Sequence, residues 1–133
     1  MRRAGARRAL GLLLVAIAAV ALLGPAAAPS GAQQKRHPKT KKVTVADFYF
    51  SPTKVTIRKG DKVKWVWSPL NVNPHDVHLK KGPKKLKKKR SYSTKTTAVT
   101  GARFVKAFPQ PGTYKFICTI HPTEMRMTVV VKK

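Results

Sequence analysis

"VTVADFYFSPTKVTIRKGDKVKWVW", residues 43–67, decides the fold. Its opening "VTVADFYF" is rich in β-branched and aromatic residues and is broken by Ser51-Pro52. "KVTIR" then sets Val55 and Ile57 against Thr56, Gly60-Asp61 reads as a turn, and "KVKWVW" aligns Val63, Trp65 and Trp67. Apolar residues at every second position, bounded by Pro, Gly and Asp, predict half-buried strands, because successive side chains of a strand point to opposite faces.

The same signal continues downstream. "SPLNVNP" (Ser68 to Pro74) reads as a loop, and "HDVHL" begins a fourth strand. "YSTKTTAVTG" is polar and β-branched and predicts an edge strand. "RFVKAF" places Phe104 and Phe108 on one face, "PQPG" turns the chain, and "TYKFIC" and "MRMTVVV" are the last strands. Seven to eight short strands without helical period predict an all-β sandwich. The run "KKGPKKLKKKR" (Lys80 to Arg90) interrupts the pattern. Its charge predicts an exposed loop held open by self-repulsion.

Upstream, "AQQKRHPKTKK" has no apolar period, so residues 33–42 read as a basic flexible linker with His37 solvated. Residues 1–32 read as a secretory signal peptide. Arg2, Arg3, Arg7 and Arg8 precede the uncharged run Leu10 to Leu23, and the small residues Ser30-Gly31-Ala32 predict cleavage after Ala32. The apolar run is short beside the ~20 residues of a spanning helix, and retention would make it an anchor. The folded part, residues 43–133, is one small domain expected outside the cytoplasm, secreted or held at the cell surface.

The chain has 29 Lys+Arg against 4 Asp+Glu. The formal charge of +25, less the four arginines of the signal segment, leaves +21. That charge implies an anionic partner: an acidic partner protein, an anionic cell-surface polymer or a membrane surface. Nucleic acid is disfavoured, since no recognition helix or stacking motif accompanies the lysines. A monomer is expected. Few carboxylates, no Ser-His-Asp pattern and no phosphate-cradling glycine loop argue against an enzyme.

The chain's one cysteine has no partner for an internal bridge, so "CTIHPTEM" (Cys118 to Met125) asks what keeps it useful. A tight loop there gathers Cys118, His121 and Met125 around one point. Thiolate and imidazole are strong ligands for a borderline-soft metal, and thioether is a weaker one. A His₂Cys trigonal set with a long axial Met marks an electron-transfer copper centre. The second histidine comes from "NPHDVHL", where His75 and His78 point to opposite sheet faces, so one of them serves. Met127 shares the face of Met125 and is a rival axial donor.

"DFYFSPTKVTIRKGDKVKWVW", "NPHDV", "PGTYKFICTIHPTEM" and "MTVVV", in this order, resemble the cupredoxins, type 1 copper proteins of plastocyanin and amicyanin type. The resemblance runs from about Val43 to Val131 and matches poorly around the lysine run. It implies a Greek-key β-sandwich carrying one type 1 copper per chain on His75, Cys118, His121 and Met125, with the His121 edge as the exit for single electrons. Two departures stand out. Asp76 replaces the family's usual Asn, and a carboxylate there is expected to favour Cu(II). The spacer Pro122-Thr123-Glu124 is slightly longer than in amicyanin. Two further readings use the same residues: copper delivery without electron transfer, and a metal-free module that binds anionic polymers through its lysines.

Overall fold

The computed structural model describes residues 35–133, which form one compact unit. The expected signal peptide and the first linker residues lie outside the described residues. Eight strands follow in order: β1 Thr40–Ala46, β2 Tyr49–Ser51, β3 Lys54–Arg58, β4 Lys62–Trp67, β5 His78–Lys81, β6 Arg103–Ala107, β7 Gly112–Ile117 and β8 Arg126–Lys132. They form two four-stranded sheets, β2-β1-β4-β6 and β3-β8-β7-β5. The chain changes sheet at each connection from β2 through to β7, so the two sheets cannot separate as independent halves. This is the expected all-β sandwich.

The alternation read in the sequence is the burial pattern of the strands. Val55, Ile57, Val63, Trp65, Trp67, Tyr114, Phe116, Val129 and Val131 all point inward and are buried. Trp65 lies at the centre, fully buried, with the rings of Phe116, Phe104 and Phe108 at 5.1, 5.4 and 6.4 Å.

Three expectations need correction. The linker ends earlier than expected: β1 begins at Thr40, pairing in parallel from Thr40↔Lys62 to Val45↔Trp67. Backbone pairing ignores side-chain charge, so Lys41 and Lys42 join a strand that their composition conceals. "YSTKTTAVTG" is no strand. Its hydroxyls serve the neighbouring backbone instead: Leu79 N–H donates to Ser93 Oγ (3.0 Å) and Val77 N–H to Thr94 Oγ1 (3.2 Å). Only Ala98 pairs, in an isolated bridge to His75. The lysine run is not an open loop either, because Leu86, its one apolar residue, is buried in the core beside Tyr92.

Asp61 fastens the base of the sandwich. Its carboxylate accepts the backbone N–H of Lys39 (2.8 Å) and of Arg58 (3.0 Å) and pairs with Arg36 (2.8 Å). Burial works against the charge, yet these donors outweigh it and hold the carboxyl below its ordinary value. Protons therefore bind the unfolded chain more readily than the folded one. The stabilisation is present above the ordinary carboxylate pKa and is lost as pH falls through the folded value. Asp61→Ala is expected to cost about 1–3 kcal/mol at pH 7. Urea unfolding should show that deficit shrinking toward pH 3. A deficit that does not change with pH would contradict the role given to the charge.

Candidate metal centre

One end of the sandwich collects the chemistry. Cys118 follows the last residue of β7, His121 sits in the turn beyond it, and Met125 precedes β8. Two backbone bonds close this loop: Met125 N–H donates to His121 O (2.9 Å) and Cys118 N–H to Met125 O (3.1 Å). His75 arrives from the β4–β5 connection. It is held by its bridge to Ala98 and by Trp67 Nε1–H donating to His75 O at 3.1 Å.

Cys118 Sγ lies 3.9 Å from His75 Nδ1 and 3.8 Å from His121 Nδ1. The three donor atoms are within 4.8 Å of one another. His75, Cys118 and Met125 are fully buried, while His121 reaches the surface in part. Asp76 N–H donates to Cys118 Sγ at 3.5 Å, which fixes the direction of the side chain. His78, by contrast, is exposed on β5. Met127 is engaged elsewhere, its Sδ accepting Trp65 Nε1–H at 3.1 Å in the core. Of the two methionines, Met125 is the one tied to the ligand loop.

Asp47, to which sequence reasoning gave no role, sets the state of His75. Its Oδ1 lies 2.8 Å from His75 Nε2, and it also accepts Val72 N–H (2.9 Å) and Asn73 N–H (3.2 Å). The Val72 N–H, then His75, pull its carboxyl down to about 2 against the cost of burial. A carboxylate can only accept, so Nε2 carries the proton and Nδ1 presents its lone pair toward Cys118. Its one signal in the sequence is scarcity, as one of four acidic residues.

Residues 38–132 match the family of copper binding proteins described as plastocyanin/azurin. The chain belongs to this family. The cupredoxin assignment is supported by amicyanin-alpha of Methylorubrum extorquens (strain AM1), 33% identical over 125 residues, covering 88% of this chain and 86% of the relative. Among solved structures, a reduced amicyanin mutant superposes with a TM-score of 0.54 at 26% identity, covering 68% of this chain and 80% of that one. Oxidised plastocyanin from Dryopteris crassirhizoma shares the fold, with a TM-score of 0.58 at 24% identity over 69% of this chain and all of that one. A copper-containing nitrite reductase from Thermus scotoductus matches 74% of this chain (TM-score 0.56, 25% identity) but only 23% of its own length.

The donor set fits the cupredoxin metal: one thiol, two imidazoles with Nδ1 turned inward, and a thioether on the same loop. The domain is a copper-binding one. Asp76 also fits its place. Its Oδ1 accepts Thr119 N–H at 2.7 Å and its Oδ2 accepts Thr119 Oγ1–H, so it ties the His75 segment to the Cys118 loop as the family's Asn would. The connection survives the replacement, and the extra negative charge is what differs. Asp76→Asn is therefore expected to raise the reduction potential of the copper-loaded domain, measured by voltammetry. An unchanged or lowered potential would count against the charge effect.

Proposed function

We propose that this chain is an extracytoplasmic carrier of single electrons, holding one type 1 copper on His75, Cys118, His121 and Met125. The observation that carries the reading is the convergence of Cys118 Sγ and two Nδ1 atoms on one loop-closed point. Copper, when bound, would supply the one-electron couple. The chain supplies donors held in place by its own contacts, His75 by Ala98, Trp67 and Asp47 and the Cys118 loop by its two backbone bonds. His75, Cys118 and Met125 are fully buried and the loop is closed by its own backbone bonds, which favours a carrier over an enzyme that must admit a substrate.

Electrons leave through the His121 edge. At that edge Phe48, half exposed, packs edge-on to the imidazole at 5.0 Å. Two more exposed apolar residues belong to the adjoining segments: Ile120, next to His121 in the chain, and Val72, whose N–H donates to Asp47. An apolar rim around a partly exposed ligand suits brief contact with a redox protein, because it can be desolvated without breaking ion pairs. The leader-like residues 1–32 support a place outside the cytoplasm, and a polar basic stretch joins them to the domain.

Residues 33–133, loaded with one equivalent of Cu(II), should cycle between oxidation states without losing metal and exchange electrons rapidly with a small redox protein. Slow exchange together with ready transfer of copper to an apo-acceptor would replace the carrier by a delivery protein.

Asp47→Ala should weaken copper binding about 10–100-fold, the usual cost of losing a carboxylate that orients a metal-bound imidazole. Competition with a chelator of known affinity measures it. Unaltered affinity would mean that His75 is oriented by its backbone alone.

A further inference from the structure

The four acidic residues are distributed unevenly. Asp47, Asp76 and Glu124 lie at the metal end, and Asp61 is consumed at the base. Among the described residues the one ion pair of a Lys or Arg is Arg36–Asp61, and Arg126 feels the charge of Glu124, so the lysines have no carboxylate paired with them. Three register positions even set cations opposite each other: Lys42↔Lys64, Arg58↔Lys132 and Lys81↔Lys115. Like charges opposed across a ladder are destabilising.

The densest part of this charge is a built lobe. Pro83 packs so closely on Gly112 that a Cβ there would lie 2.6 Å from Pro83 Cγ. Leu86 N–H donates to Pro83 O (3.0 Å), and Leu86, in the middle of the lysines, and Tyr92, beyond them, are both buried. Between these anchors Lys84, Lys85, Lys87, Lys88 and Lys89 are all exposed. Lys106 joins them from β6. Its Nζ donates to Ser91 Oγ (2.6 Å) and sits 4.3 Å from the centre of the Tyr92 ring, while Ser91 Oγ–H donates to Lys88 O (2.7 Å). Burial, and then the charge of Lys88, lower the pKa of Lys106, as expected of cations held together by the fold. A solvated tail would let such charges spread apart.

We propose that this lysine lobe is a docking surface for a linear polyanion, an extended polymer with an anionic group on each repeat. The exposed large apolar residues are Phe48, Tyr49, Leu70, Val72, Val99, Val105 and Ile120, and none belongs to the lobe. A stable protein interface needs an apolar centre, and insertion into a bilayer needs an apolar wedge. The lobe offers neither. Next to it in the chain, Lys80 and Lys81 line one groove with Lys115 and Arg126, so the cations extend along the β5–β7 face, a path that a bending chain can follow and a flat surface cannot. Counterion release from the polymer supplies the affinity.

The lobe packs at the start of β7, whereas Cys118 follows its end, roughly 20 Å away for a six-residue strand. The polymer would thus hold the domain at one end and leave the His121 edge free. The inference needs no metal and stands apart from the electron-carrier reading.

Binding of labelled linear polyphosphate to residues 33–133, by fluorescence anisotropy at several salt concentrations, tests it. One variant carries Gln at positions 84, 85, 87, 88 and 89. A second, of equal net charge, carries Gln at 41, 42, 54, 62 and 64. The lobe variant should lose about tenfold or more in affinity with a shallower salt dependence, and the second variant under about threefold. Circular dichroism should show both variants folded. Equal losses would overturn the proposal, leaving net charge alone as the cause. So would tighter, lobe-dependent binding to phosphatidylglycerol vesicles than to polyphosphate, or to an acidic protein that polyphosphate fails to displace.

Discussion

Cys118→Ser is expected to abolish the intense blue absorption that Cu(II) should give with this domain, and to do so while the sandwich stays folded. Cys118 is the chain's one thiol, fully buried, with an imidazole nitrogen on either side at 3.9 and 3.8 Å. The band needs a thiolate bound to copper. A serine hydroxyl is not ionised at neutral pH, is a harder donor, and has a shorter reach than sulfur. Two imidazoles and a thioether remain, enough to bind copper weakly but without a sulfur anion as ligand. The fold should persist because the exchange is nearly isosteric, and the backbone bond from Cys118 N–H to Met125 O does not involve the side chain. Titration of residues 33–133 with Cu(II), followed by visible absorption beside the variant, measures the effect, with circular dichroism as the check on folding. One band per chain in the parent and none in the variant is the expected pair. A blue band that survives in the variant would place the copper elsewhere, and no band in the parent would sink the type 1 reading.

The sequence was legible where one local rule acted alone. From residue 43 to 67 the alternation of apolar and polar side chains gave β3 and β4 as they stand, because burial on one face of a sheet leaves a period of two. It ran "VTVADFYF" together as one strand, where a turn at Asp47-Phe48 folds it into the antiparallel pair β1 and β2. Cys118, His121 and Met125 could be grouped because a tight loop makes sequence distance a fair measure of spatial distance. Legibility ended where tertiary pairing made the decision. Thr40–Lys42 became strand because β4 offered them a partner edge. The hydroxyls of Ser93 and Thr94 satisfied β5 and its approach through side chains, so a segment of strand-like composition never formed a ladder. The lysine run looked self-repelling, yet burial of Leu86 and Tyr92 was enough to close it. Asp47 stands 28 positions before His75, and no spacing rule connects them. Only the packing of the β1–β2 turn against the β4–β5 connection brings the two together.

Trp65→Ala is expected to remove about 3–5 kcal/mol of stability from the metal-free domain, the range for a large aromatic cut from a packed core. Trp65 is fully buried, and Phe104, Phe108 and Phe116 surround it, so the sheets that hold it cannot collapse into the space without moving those rings. Its indole N–H is also satisfied by Met127 Sδ, a bond joining β4 to β8 across the sandwich. For a domain of this size each kcal/mol shifts the melting temperature by about 4–8 °C, so the variant should melt lower by on the order of 15 °C or more. The measurement belongs in the metal-free state, because copper that binds only the folded form would mask part of the loss. Met127→Leu separates packing from ligation. It keeps the volume and removes the sulfur acceptor, so it should cost about 1 kcal/mol, within the range for a near-isosteric core exchange that loses one hydrogen bond. The blue spectrum should stay unchanged, because the Met127 sulfur faces the core and Met125 is fastened to the ligand loop. A spectrum altered by Met127→Leu would make Met127 a donor to the metal. A Trp65→Ala loss under about 1 kcal/mol would show that the centre of the core lies elsewhere.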